Sequence, residues 1–565
     1  MRIKMFFLVL VMAAAAVTAW AQDLKNNFYV KVLSRELQRN VARLHLPDLE
    51  KPFFIAYDLR NQYTYSINAE RGSITSSVRT PVNNKSVSIK LLVGDYHRNF
   101  DYMMFDGYYV NLPDEDNAEE YRRLIWLETD RAYKNNSRQF SSFMSSLNRV
   151  NVDEKELQLD DLSKITPVVH DYGAVEPVRA DTQKWEQRLR SLSALFNAYP
   201  DITTSYCRLS VNNYEDYLVT NEGTVIRKPG NEVTFFVYGA TTDEEGNNFD
   251  ERYTITVKRM EELPSYEELQ QQIKQVIKSI RQKQQAVPFE GSYMGPVLFT
   301  DNAVSDIVYQ CFVNMLPVNR KSILGFKSGE TNYEEKLGQK LVASGLTLKA
   351  IPSLKVFNGQ YTTGYYPVDD QGVRPPDSLV LIQNGILKAL LNGRTPTKRF
   401  PVSQGFAQSF LGKNYSAGVL KLSSEKPISE DSMRNKLLQL ARGEGLKDAY
   451  IVTAVNYNRP TVFKIEVASG KIQMVNECML TPLNVRSLRR FEVASAKMHL
   501  ENASRFSIIA PQSIIISEVE IEKADNTTKP KPIVVSNPLL DKKNSTINKP
   551  SGMHKKTTLP GKPQV

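Results

Sequence analysis

The sequence predicts an α+β protein in two parts, an N-terminal α/β domain with a mixed sheet and helices and then a strand-rich C-terminal domain. Three observations predict it. Segments rich in Val, Ile, Tyr and Phe alternate polar and apolar residues, as in Ser86-Val87-Ser88-Ile89-Lys90-Leu91, which is the period of a half-buried strand. Other stretches before residue 290 place apolar residues at helical spacing. Beyond it, short apolar runs separated by glycine turns dominate.

Element by element, Phe53–Asp58, Tyr63–Asn68, Ser73–Arg79 and Ser86–Val93 read as short strands. A helix-rich insert follows, with Phe140, Phe143, Met144 and Leu147 on one helical face and Trp185, Leu189, Leu192 and Phe196 on another. Pro200 is expected to end the second. Tyr217–Thr220, the turn Asn221-Glu222-Gly223 and Thr224–Ile226 read as a hairpin. Val233–Tyr238 and Tyr253–Val257 read as strands joined by a polar loop, Thr241–Asp250. Ser265 and Glu268 form a capping box at the start of a helix whose apolar face is Tyr266, Leu269, Ile273, Val276, Ile277 and Ile280. In the second half, Val297–Thr300, Thr347–Ile351, Leu379–Gln383, Ala449–Val455, Val462–Val467 and Ser513–Ile521 are the clearest strands. Helices are expected at Asp301–Met315 and Glu430–Arg442, the latter stopped by Gly443-Glu444-Gly445.

The chain opens with Arg2 and Lys4, an apolar run from Met5 to Val17, and Ala19-Trp20-Ala21. This is the pattern of a secretory signal, too short to span a bilayer. The expected organisation is therefore a signal peptide at 1–21, an N-terminal domain with a helical insert at 22–290, a C-terminal domain at 291–523 and a disordered basic tail at 524–565. No later run reaches the length of a membrane span. An exported location, periplasmic or extracellular, is expected.

The formal net charge of +10 overstates the body's charge. Arg2, Lys4 and a tail with eight Lys against Asp525 and Asp541 leave the body near +2. Nucleic acid is rejected as a partner on that ground, since phosphate binding needs a basic stripe. Cys207, Cys311 and Cys478 show no metal-ligand spacing and read as buried thiols. No Gly-x-Ser-x-Gly elbow and no phosphate loop occurs. A Cys207–His170 nucleophile pair has no support from spacing, and no nucleophile–base pair is legible.

The ordered series Gly295-Pro296-Val297-Leu298-Phe299, Leu337-Gly338-Gln339-Lys340-Leu341-Val342, Asp369-Asp370-Gln371-Gly372-Val373 and Leu379 to Lys388 resembles the TldD/PmbA family, the modulator-of-gyrase metallopeptidase-like proteins. Asn221-Glu222-Gly223 followed by Gly239-Ala240 is similar to the end of that family's N-terminal domain. The resemblance covers roughly residues 25–522. Asn384-Gly385 is also a turn signal in its own right, because both residues tolerate positive φ. Asp369 and Asp370, if adjacent on a strand, would face opposite sides and could not share a substrate, so they read as turn residues.

The resemblance implies a zinc peptidase in the family's catalytic subunit. There a helix after the Gly-Pro-Val strand carries His-Glu-x-x-x-His, and a later Cys completes the site. Zinc held by imidazoles and a thiolate activates water, and the Glu takes its proton. Here the corresponding positions are Tyr309-Gln310-Cys311-Phe312-Val313-Asn314, and Ser507–Ser513 holds no Cys. No catalytic, metal-binding or cofactor-binding residue is therefore assigned, and zinc is expected only through a partner subunit. What the resemblance then implies is a zinc-less subunit, forming a homo- or hetero-oligomer with a TldD-like zinc subunit and acting on unfolded or short peptides. Two alternatives stand beside it: a metallopeptidase with unorthodox ligands, and a secreted peptide-binding or scaffold protein without a peptidase partner.

Overall fold

A strand of 19 residues, β1 (Pro52–Glu70), organises the N-terminal half. The computed structural model describes residues 23–524 except 79–81, 104–106, 174, 245, 319, 326–332, 412–413 and 456–459. The expected signal peptide lies outside the described residues, as does the expected tail from 525 onward. The sequence suggested two short strands within β1, because Arg60, Asn61 and Gln62 look like a polar break. The chain does not break there. Arg60 is held by Asp216, and Asn61 donates to the hydroxyls of Tyr29 and Tyr63.

Seven further strands join it: β2 (Ser73–Ser77), β3 (Val82–Val93), β4 (Tyr108–Leu112), β5 (Val169–Asp171), β6 (Thr204–Thr220), β7 (Val225–Thr242) and β8 (Asn248–Val257). The order is β4-β3-β1-β6-β7-β5, with β2 on β1 and β8 on β7, and only the β5–β7 pairing is parallel. The loop expected at Thr241–Asp250 is shorter than read. Pairing continues to Thr241↔Phe249 and Thr242↔Asn248.

Side chains alternate across this sheet, so its two faces have different chemistry. Tyr57, Leu59, Tyr65, Ile67 and Ala69 of β1, with Val87 and Ile89 of β3 and Leu209, Val211 and Tyr217 of β6, point to one face and are buried. Four helices cover that face: α1 (Phe28–Arg43), α2 (Ala118–Leu147), α3 (Thr182–Ser193) and α4 (Tyr266–Gln284). Their starts are capped by Asn27, Asn117, Asp181 and Ser265, each accepting from backbone amides of the first turn. The expected box at Ser265 and Glu268 is present. Each large apolar side chain so buried contributes roughly 1.5–3 kcal/mol.

The opposite face carries Asp58, Arg60, Ser86, Ser88, Asp216 and Lys228. It meets the C-terminal domain, which is built on an eight-stranded and a six-stranded mixed sheet. In the first, the Ser292–Thr300 strand lies between Ser513–Lys523 and Asp448–Ala454, parallel to the latter. Its register shifts between Gly295 and Val297, which places Pro296 at an irregularity where a missing amide costs nothing. After it come α5 (Asn302–Val308) and a π-helical turn, Tyr309–Val313. This divides the single helix expected at Asp301–Met315. The later helix, α6 (Glu430–Gly443), ends as expected, with Gly445 at φ 71°. Asn384 and Gly385, at φ 49° and 77°, turn Leu379–Gln383 into Ile386–Leu387.

The turn Asn221-Glu222-Gly223 between β6 and β7 ties the two halves together. Arg394 donates two hydrogen bonds of 2.7 Å to Glu222 and two more, at 3.0 and 2.8 Å, to the carbonyl of Ser163. Arg394 is 2% exposed. Replacing it with Met removes the counterion of Glu222, which keeps the Tyr96 hydroxyl as a donor, and costs about 3 kcal/mol. Arg394→Met is expected to lower stability by about that amount in urea unfolding. Arg394→Lys should recover only part of it, because an ammonium cannot reproduce the fork.

Candidate functional site

The charged face of the N-terminal sheet and the C-terminal domain enclose a cleft with two connected chambers. The inner one, about 270 Å³, is lined by Asp58, Arg60, Asp216, Lys228, Asp369, Asp370 and Arg505 among others. The outer one, about 360 Å³, is lined chiefly by tyrosines and basic residues, and the two share Tyr172, Lys228, Gln408 and Arg505. The strands set the inner chamber's charges. Asp58 and Arg60 are alternate residues of β1, and Arg60 pairs in register with Asp216 of β6. A one-residue shift of β1 against its neighbours would turn Asp58 and Arg60 into the helix layer.

Asp370 reaches across from the C-terminal domain. Its two oxygens accept from Lys228 at 2.7 Å and Arg505 at 2.6 Å. Burial raises its carboxyl, but Lys228 and Arg505 outweigh it and hold the group well below the usual carboxylate range. Asp369 does something different. It accepts from the amides of Gln371, Val373 and Ala407 at 2.8–3.0 Å and so builds the turn at Gly372, whose φ is 85°. Burial pushes its carboxyl up to about 7 against these amides. The expected turn role thus holds for Asp369 but not for Asp370. The pair lies in a turn, not on a strand, so the opposite-face argument does not apply, and both residues line the same chamber.

Asp58 has no hydrogen-bond or ion-pair partner among the described residues. Burial, then the charges of Asp216 and Asp370, push its carboxyl up to about 7. It can therefore exchange a proton near neutral pH with whatever occupies the chamber.

Among the described residues, the helix after the Gly-Pro-Val strand contributes none to the lining of either chamber. Tyr309 is 51% exposed and its ring meets Phe506, next to Arg505, at 6.2 Å. Cys311 and Phe312 point into the core, at 3% and 0% exposure. Burial pushes the Cys311 thiol up to about 12, so it is not a thiolate at neutral pH. Cys207 and Cys478 are also buried and raised to about 12. Among the described residues no three His, Cys, Asp or Glu side chains are grouped to hold a metal. The residues at this helix do not fit a zinc ion.

His170 packs on Tyr172, with their ring centroids 5.2 Å apart, and no bond joins it to Cys207. Sequence reasoning missed a different contact. Ser305 of α5 and His499, on the Met498–Ala503 strand, are 2.8 Å apart between Oγ and Nε2. These are the residue types of a nucleophile and its base, contrary to the reading that no such pair exists, and 194 positions of separation hide them. Ser305 is 2% exposed, which keeps a substrate carbonyl from its hydroxyl. The contact fastens the helix to the six-stranded sheet.

Residues 290–523 match the family model described as the PmbA/TldA metallopeptidase C-terminal domain. That stretch is a C-terminal domain of the PmbA/TldD kind. Solved structures agree on the fold. A proposed modulator of a DNA gyrase from Thermotoga maritima is similar at TM-score 0.58 and 14% identity, covering 87% of this chain and 99% of that one. TldE from Thermococcus kodakarensis is similar at 0.55 and 12%, covering 83% and 97%. A proposed modulator of DNA gyrase from Bacteroides thetaiotaomicron is similar at 0.57 and 11%, covering 87% and 98%. No curated protein matches the sequence significantly. These three structures share the fold with this chain, and at such identities they carry no site residue over to it. Among the described residues no helix is long and apolar enough to cross a membrane.

Asp58 gives the cleft a pH signature. Its carboxyl is raised from an ordinary 3.8 to about 7, so between about pH 4 and 7 the folded state holds a proton that the unfolded state has lost. Stability from this group therefore falls as pH rises through that window. Asp58→Asn is expected to unfold about 2 kcal/mol later than the parent at pH 8 and at the same denaturant concentration at pH 4. Paired urea titrations at the two pH values measure this.

Proposed function

We propose that this chain is an exported, zinc-less subunit of the PmbA/TldD kind, which pairs with a zinc-bearing relative and helps it bind and process unfolded or short peptides. One observation carries the reading. At the helix where the family's zinc motif falls, the inward side chains are a buried, protonated Cys311 and Phe312, while Tyr309 faces solvent. An amide such as Gln310 does not take a proton from a metal-bound water at neutral pH. The scaffold around that helix is nevertheless retained through residues 290–523.

The chain's own contribution is to bind and orient. The inner chamber offers paired charges and the Asp58 carboxyl to backbone amides and carbonyls. The outer strand of the six-stranded sheet, Met498–Ala503, pairs with Phe506–Pro511 and, among the described residues, with no other strand. An extended peptide can add to such an edge through its own backbone. Hydrolysis is assigned to the partner, whose metal supplies the activated water. The similarity to TldE is consistent with this division of labour. The N-terminal run of Arg2, Lys4 and Met5–Val17 supports export.

Co-expression with zinc-bearing relatives from the same genome, followed by size exclusion, metal analysis and peptide cleavage, tests the proposal. The chain alone should carry less than about 0.1 zinc and cleave nothing, and the complex should carry zinc and cleave. Near-stoichiometric zinc on the lone chain with chelator-sensitive cleavage would make it a metallopeptidase with unorthodox ligands. Self-association with no activity in any pairing would make it a scaffold.

A further inference from the structure

We infer that the outer chamber of the cleft is a subsite for a carboxylate, carried on a short peptide as its C-terminus or as an Asp or Glu side chain. This rests on the peptide-binding reading above. The argument begins with which cations are already satisfied. Lys228 and Arg505 share Asp370, and Arg259 is paired with Glu262 at 2.6 Å. Lys258 and Lys355 have no carboxylate within ion-pair distance among the described residues. Their ammonium groups lie 5.9 and 5.8 Å from the centre of one ring, Tyr365.

Lys258 has two carboxylates nearby, neither paired with its ammonium, although Glu262 accepts from its backbone amide at 3.4 Å. It follows β8 directly and is half-buried. Burial, then Lys355 and Lys228, hold its amine below the ordinary lysine value, while Glu232 and Glu262 oppose them. Those two acids are occupied. Glu232 accepts from the Ser504 hydroxyl at 3.0 Å and the Arg505 amide at 3.3 Å, and Glu262 holds Arg259. The remaining acid in the lining is Glu176. A half-buried amine facing a second amine is unfavourable in the empty protein, and an anion between them removes the repulsion and replaces lost hydration. Sites kept at such a cost to stability mark function.

The chamber's shape selects the kind of anion. Tyr172, Tyr214, Tyr361, Tyr365 and Tyr366 supply apolar faces, and Gly230 keeps the wall thin, since a Cβ there would meet the Tyr214 hydroxyl at 2.4 Å. At about 360 Å³ the space suits the end of a chain. The guanidiniums that would grip a phosphate through two parallel bonds are committed to Asp370 and Glu262. Two lysines acting as point charges are left, and they suit a single carboxylate.

The test uses the full chain and three fluorescent peptides of one neutral sequence: a free C-terminal acid, its amide, and the amide with one Glu. Anisotropy titrations at low and moderate salt give the affinities. At least one acidic peptide is expected to bind tenfold or more tighter than the neutral amide, and which one does so identifies the source of the carboxylate. Lys258→Met should bring that ratio within twofold without lowering the melting temperature, and Lys355→Gln, at an exposed position, should reduce it independently. Equal binding of all three peptides, or a ratio untouched by both variants, overturns the carboxylate subsite and leaves peptide binding standing. No binding of any peptide overturns both.

Discussion

The two-faced character of the N-terminal sheet is the constraint on which the rest of the structure depends. Strand geometry forces alternate residues of β1, β3, β6 and β7 to opposite sides. The apolar set buries four helices, and the polar set becomes the floor of a cleft. Part of that face, Phe54, Ala56, Leu92, Leu218 and Ile226, packs on Val368 and Phe410 of the C-terminal domain, and its charged part is met by countercharges. Asp370 takes Lys228 and Arg505, and Arg394 takes Glu222. Pairs of this kind contribute little net stability, because desolvation offsets attraction, but breaking one strands a charge. They therefore fix how the domains dock more than how strongly they fold.

The same constraint accounts for the tuned groups. Asp58 lines one chamber and Lys258 the other, an acid raised and an amine lowered. Each is a charge that the sheet brings to the cleft without a counterpart. Among the described residues Asp58 is the acid of the inner chamber without a hydrogen-bonded partner, and Lys258 and Lys355 are the cations of the outer one without a carboxylate in ion-pair distance. A ligand with one negative end and a hydrogen-bonding backbone complements both. The helix at Tyr309 has meanwhile become packing, with Cys311 and Phe312 turned inward.

Much of the fold was legible because its signals are local. The capping box at Ser265, the Asn384-Gly385 turn and the alternation from Ser86 to Leu91 each need only neighbouring residues. The misreadings share one cause. Polar residues in β1 looked like a loop because their partners, Asp216 and Tyr29, are distant in sequence. The resemblance marked Asp369-Asp370 and Asn221-Glu222-Gly223, but not their use. Asp370 and Glu222 turn out to be two of the points where one domain grips the other. Nothing local could join Ser305 to His499, or Lys258 to Lys355 and Tyr365, since topology alone brings them together.

A double-mutant cycle on Lys228→Met and Asp370→Asn, read by urea unfolding, tests most directly whether ion pairing across the polar face holds the domains in register. Coupling of about 2 kcal/mol between the two substitutions is the predicted result. Additive effects within about 0.5 kcal/mol would contradict it, because the cleft would then be positioned by other contacts and its charges would be incidental.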